Sequence, residues 1–116
     1  MNGFCHIEIP SKDLKKAKAF YEAVFGWKIT AWEGSANYLM FETGEGVGGG
    51  FTTEFELSKK AGILLYILAE DIPATLEKIM KHGGKTVLPK TQIPNIGFYA
   101  IFSDAEGNQL GLFSNK

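Results

Sequence analysis

A spacing of 58 residues organises this chain. Asp13 and Asp71, each placed to open a helix, lie 58 positions apart, and so do Gly26 and Gly84, each placed to end one; that interval is half of the 116 residues. A repeat of this length is one supersecondary unit used twice, which restricts the fold to architectures that combine two copies of it. The local periodicities say what the unit contains.

Residues 4–10 alternate Cys5, Ile7 and Ile9 with His6 and Glu8, the period of two that marks a strand with unlike faces. Ser11 then supplies an N-cap and Asp13 a first-turn carboxylate for a helix whose apolar stripe is Leu14, Ala17, Phe20, Tyr21, Val24 and Phe25, ending at Gly26. Residues 27–32, 38–42 and 47–53 read as three short strands separated by glycine-containing turns. From Gly62 the pattern restarts. Residues 63–69 form a β-rich run, Asp71 caps a helix with Pro73 in its first turn, and Ile72, Leu76, Ile79 and Met80 make the stripe before Gly83 and Gly84. Strands at 85–88, 97–103 and 109–114 complete the second set. The expected fold is α+β: a module at 1–53, a polar linker at 54–61 and a module at 62–116, two tandem βαβββ units whose curved mixed sheets enclose a cup-shaped cavity.

Composition excludes several classes of function. Apolar residues make up 45% and charged residues 22% of the chain, which places it among folded globular proteins. Twelve basic residues against thirteen acidic ones, with no run of like charge longer than a pair, leave no footprint for a phosphate backbone, so no nucleic-acid partner is expected. No apolar run reaches the roughly 20 residues of a membrane span, and the first residues have neither a basic nor an apolar leader region, so the expected location is the cytoplasm. Cys5 is the sole cysteine, which rules out an internal disulfide.

Two stretches carry a family resemblance: H-I-E-I-P-S-K-D-L-K-K-A-K-A-F-Y-E-A-V-F-G-W at residues 6–27 and S-D-A-E-G-N-Q-L-G-L-F at 103–113. With the duplicated βαβββ pattern, the chain resembles the vicinal oxygen chelate superfamily, which includes glyoxalase I, extradiol dioxygenases and bleomycin-resistance proteins. In its metal-dependent members, His, Glu or Gln side chains on the first and fourth strands of each module hold a divalent ion. The resemblance places those positions at His6, at Gly49 or a neighbour, at Leu64, and at Gly111, seven residues after Asp104. One donor among four falls short of the three or so protein ligands that a catalytic metal needs. The expectation is therefore a cup with no resident metal and no cofactor, with a divalent ion on a non-standard ligand set as the alternative. The resemblance also implies a homodimer.

The expected site follows from these positions. His6 and Glu8 are two apart on one strand, so their side chains point the same way and are candidates for joint action on a ligand, as anchors or as an acid and base pair. Tyr66 and Tyr99 supply aromatic rings with polar tips for the second half of the cup. Gly49 and Phe51, from the run G-E-G-V-G-G-G-F, together with Leu64 and Gly111, complete the lining. The glycines are read as enlarging the cavity where a metal would stand. Trp27, His82 and the segment from Asp104 to Asn108 are assigned structural roles. Two functions follow: metal-free binding of a small apolar or planar molecule, or a lyase or dioxygenase-type enzyme that uses His6 and Glu8.

Overall fold

A computed structural model describes residues 1–60 and 62–116; Ala61, at the end of the expected linker, lies outside the described residues. The chain divides into two compact units, Met1–Leu57 and Ser58–Lys116. Each is a four-stranded mixed sheet with one helix, in the order β1 (Ile7–Pro10), α1 (Leu14–Phe25), β2 (Lys28–Ala31), β3 (Tyr38–Glu42), β4 (Gly49–Thr52), then β5 (Tyr66–Leu68), α2 (Ile72–Lys81), β6 (Lys85–Ile93), β7 (Gly97–Ser103), β8 (Gln109–Ser114). Within the first unit the strands lie β1-β4-β3-β2 and within the second β5-β8-β7-β6. The first strand of each unit pairs parallel with the last, and the remaining pairs are antiparallel. The repeated βαβββ unit is thus observed twice.

Both helices begin at the repeated aspartates. The Asp13 side chain accepts from the Lys16 N–H at 3.3 Å, and the Asp71 side chain accepts from the Ala74 N–H at 3.0 Å. Each satisfies a donor that the first turn would otherwise leave unpaired. The cap of α1 is therefore Asp13 and not Ser11, which is buried in front of the helix. Gly26 closes α1 in a left-handed conformation at φ 69°, where a side chain would be strained.

In the first unit, Ala17, Phe20, Tyr21 and Val24 of α1 are buried, as are Ile9, Ile29, Phe41 and Phe51 of the sheet. Tyr21 meets Phe51 at 5.0 Å and Trp27 at 4.8 Å between ring centroids, and Trp27 stacks on Phe41 at 4.7 Å. Trp27 is a packing residue, as expected. In the second unit, α2 packs on β6, β7 and β8, with Ile72, Leu76 and Ile79 buried along with Ala100, Phe102, Leu110 and Leu112. Met80, placed in the apolar stripe by spacing, is half-exposed.

Five strands differ in length from the sequence expectation: β1, β2 and β4 are each shorter by two or three residues, and β5 and β6 depart most. β5 is confined to Tyr66–Leu68, so Leu64 precedes the strand. β6 continues past Pro89 to Ile93, with register shifts between Thr86 and Leu88 and between Leu88 and Thr91. β6 is an edge strand, where a residue without an N–H is tolerated and a bulge absorbs the mismatch. No helix among the described residues is long and apolar enough to cross a membrane.

Candidate functional site

Sheet register decides which side chains can meet. In the first unit Ile9 pairs with Phe51 and Leu39 with Phe51, while Glu8 and Met40 both pair with Gly50, and Tyr38 pairs with Thr52. Side chains alternate across a sheet, so the buried Ile9, Phe41 and Phe51 mark the face turned to α1, and Glu8, Gly50, Thr52, Tyr38 and Met40 share the opposite one. His6 precedes β1 and extends the same row.

This register corrects one expected lining residue, Phe51, and sets Gly49 apart from Glu8, in the wall of a second hollow that it lines with His6. Phe51 is fully buried in the aromatic core, on the α1 face. Gly49 also belongs to that row, and a Cβ there would run into the backbone of Ile7. The glycine on the open face is Gly50. It leaves no enlarged cavity, because the ring of Tyr38 occupies the space that a Cβ would take. Gly111 behaves alike in the second unit: it pairs with Tyr66, whose ring lies over it. In both places a neighbouring tyrosine covers a glycine across the strands, a known device for protecting bare backbone.

Tyr38 also ties together the two residues first selected from the sequence. Its hydroxyl lies 2.6 Å from His6 Nε2, and His6 Nε2 and Glu8 Oε2 are 4.0 Å apart. The Tyr38 pKa is pushed up to about 12, first by desolvation and then by the hydrogen bond to Glu8 and its negative charge. Imidazole, phenol and carboxylate thus stand together as one polar cluster.

These three residues stand in a groove of about 410 Å³ whose walls also include Trp32, Met40 and Glu54. Trp32, half-exposed, meets Tyr38 edge to face at 5.6 Å and 67°, so the two rings form a corner. A second hollow of about 630 Å³ shares His6 and Met40 and extends over Cys5 and the loop around Gly44. In the second unit, Tyr66 and Tyr99 come together edge to face at 6.5 Å, next to Gly111. Leu64 is half-buried outside the strand.

Tyr38 and Trp32 are the site residues that sequence reasoning missed. The signal available was indirect: a run of three glycines at 48–50 implies that something approaches closely, and that something is a ring of the adjacent strand.

The donor set does not fit the metal of the metal-dependent relatives. His6 Nε2 is engaged by Tyr38, Gly50 and Gly111 are covered by tyrosine rings, and Leu64 has no donor atom. Among the described residues, no three His, Cys, Asp or Glu side chains gather as a metal would require.

The family model described as the Glyoxalase/Bleomycin resistance protein/Dioxygenase superfamily matches residues 3–112. A glyoxylase-like domain-containing protein of Didymella fabae is 35% identical over 109 residues, covering 88% of this chain and 85% of that protein. The fosfomycin resistance protein FosX from Listeria monocytogenes superposes with a TM-score of 0.81 at 18% identity, covering 100% of this chain and 93% of that one. A glyoxalase/bleomycin resistance protein/dioxygenase family enzyme from Burkholderia phytofirmans PsJN superposes with a TM-score of 0.78 at 17% identity, covering 96% and 97%. Identities this low show a shared fold alone.

Proposed function

The chain belongs to the glyoxalase/bleomycin resistance protein/dioxygenase superfamily, and from that premise we propose that it binds a small planar or apolar molecule, without a metal, in the groove beside Tyr38. One observation carries the reading: a hydrogen-bonded polar cluster stands next to an open aromatic corner on a sheet face. Such a groove offers ring-stacking area and a few fixed polar groups, the usual composition of a small-molecule site.

The two tryptophans make the test. Trp27 is stacked in the core, whereas Trp32 lines the groove, so their indole N–H resonances report packing and binding separately. Titration with planar fragments such as quinoline and naphthol, in the presence of EDTA, is expected to shift Trp32 and leave Trp27 in place. If no fragment moves Trp32, or if the shift requires an added metal ion, the reading is wrong.

The cluster of His6, Tyr38 and Glu8 supports a second reading, a metal-free acid and base pair in an enzyme of lyase type. Under it, Glu8→Gln abolishes turnover while fragment binding persists. We also propose that the chain forms a homodimer, supported by the exposed Tyr66 and Leu68 on the edge strand β5. Light scattering that gives the mass of a single chain at micromolar concentration overturns that part.

A further inference from the structure

Beyond the size and flatness of the ligand, the groove has a charge preference. We infer that its ligand is an organic cation, an amine or quaternary ammonium attached to an apolar or planar body; this rests on the groove being the binding site.

The walls carry two carboxylates, Glu8 and Glu54, and among the described residues no lysine lines them. The chain contains no arginine at all, so it lacks the forked guanidinium that reads carboxylates and phosphates in two bonds. An anion entering here would meet two negative groups without a compensating partner. A cation meets the reverse. Trp32 and Tyr38, set at 67° with centroids 5.6 Å apart, present a two-sided aromatic corner. The faces of such rings attract ammonium groups, tryptophan most strongly. Met40 adds a polarisable thioether to the same wall.

The Tyr38 phenol, its pKa raised by desolvation and then by Glu8, stays neutral and adds no charge of its own to the groove. His6 is the one group among the described lining residues that is able to turn positive, and its Nε2 is turned to the Tyr38 hydroxyl.

Three probes of one shape separate the outcomes: benzyltrimethylammonium, benzyl alcohol and benzoate, each titrated against the full chain while the Trp32 indole resonance is followed. The cation is expected to bind about tenfold or more tightly than the alcohol, and benzoate more weakly than either. Glu54→Gln is expected to weaken the cation several-fold and to leave benzyl alcohol unchanged; Trp32→Leu, followed by calorimetry in place of the lost indole resonance, is expected to weaken both. Because Glu8 also holds Tyr38, Glu54→Gln is the cleaner of the two charge variants. Equal affinity for cation and alcohol overturns the cation inference and leaves the binding site standing, as does preference for benzoate. If none of the three moves Trp32 at millimolar concentration, the groove is not the site and both readings fall.

Discussion

At the scale of single residues, Tyr38 has the largest consequences. Its ring covers Gly50, its hydroxyl bonds His6, and it meets Trp32 edge to face. The raised pKa makes one of these roles measurable. A phenol whose pKa is higher in the folded chain than the ordinary value near 10 keeps its proton longer when folded. Its contribution to stability is therefore complete below pH about 10 and is lost as pH rises through about 12. Urea melts at stepped alkaline pH should show this loss in the native chain and a smaller one in Tyr38→Phe. Absorbance of the phenolate should show one late-titrating tyrosine missing from that variant. An unchanged alkaline profile in Tyr38→Phe would mean that Tyr38 is not held by Glu8.

The glycines give a second test at this scale. A Cβ at Gly49 meets the backbone of Ile7, which cannot move without breaking the β1–β4 pairing, whereas a Cβ at Gly111 meets the Tyr66 ring, half-exposed and free to rotate away. Gly49→Ala should cost about 3 kcal/mol by overpacking, and Gly111→Ala less than about 1 kcal/mol. Thermal melts of both variants settle the order. Equal costs would mean that the Tyr66 ring is as fixed as the backbone of β1.

At the scale of elements, the parts legible in the sequence were those that depend on near neighbours. The capping aspartates, the apolar stripes and the closing glycines are local signals, and α1 and α2 follow them to within a residue or two. The segment from Asp104 to Asn108 was read as a turn for the same reason, and it is one: Asp104 Oδ1 accepts from the N–H groups of Glu106 and Asn108, and Oδ2 accepts from Asn108 Nδ2 at 3.0 Å. Asn108 Oδ1 in turn accepts from the Ser58 N–H at 2.6 Å, tying the start of the second unit to this turn. Both side chains are buried, so Asn108→Ala removes two hydrogen bonds, to Asp104 Oδ2 and from the Ser58 N–H, from a turn shielded from water. A loss of about 2 to 3 kcal/mol in urea denaturation is expected, and a loss near zero would show that water replaces the amide. What stayed illegible depends on register. A slip of one residue between β1 and β4 exchanges the two faces of the sheet, which is why Phe51 was assigned to the wrong side, while His6 and Glu8, two apart on one segment, stand side by side as their spacing implies. Tyr38 and Trp32 reach the site only through the alignment of β3 with β4, a contact that no local pattern records.

At the scale of the whole molecule, membership in the superfamily and the chemistry of this chain's own residues pull in different directions. The fold is the one on which metal-dependent relatives build their site, yet the side chains at the corresponding positions are one imidazole already engaged by a phenol, two ring-covered glycines and a leucine. Fold supplies a scaffold, and activity is decided by the residues placed on it. A divalent ion held by one imidazole would lose most of its coordination to water, and its affinity would fall accordingly. Protein purified without chelators and dialysed in turn against nickel, zinc, iron and manganese should retain less than about a tenth of an equivalent of each by elemental mass spectrometry. His6→Ala should leave that figure where it was. A stoichiometric ion that disappears in His6→Ala would place the metal after all on His6, completed by donors outside the family's other three positions. It would also require the His6 to Tyr38 hydrogen bond to open when the ion binds.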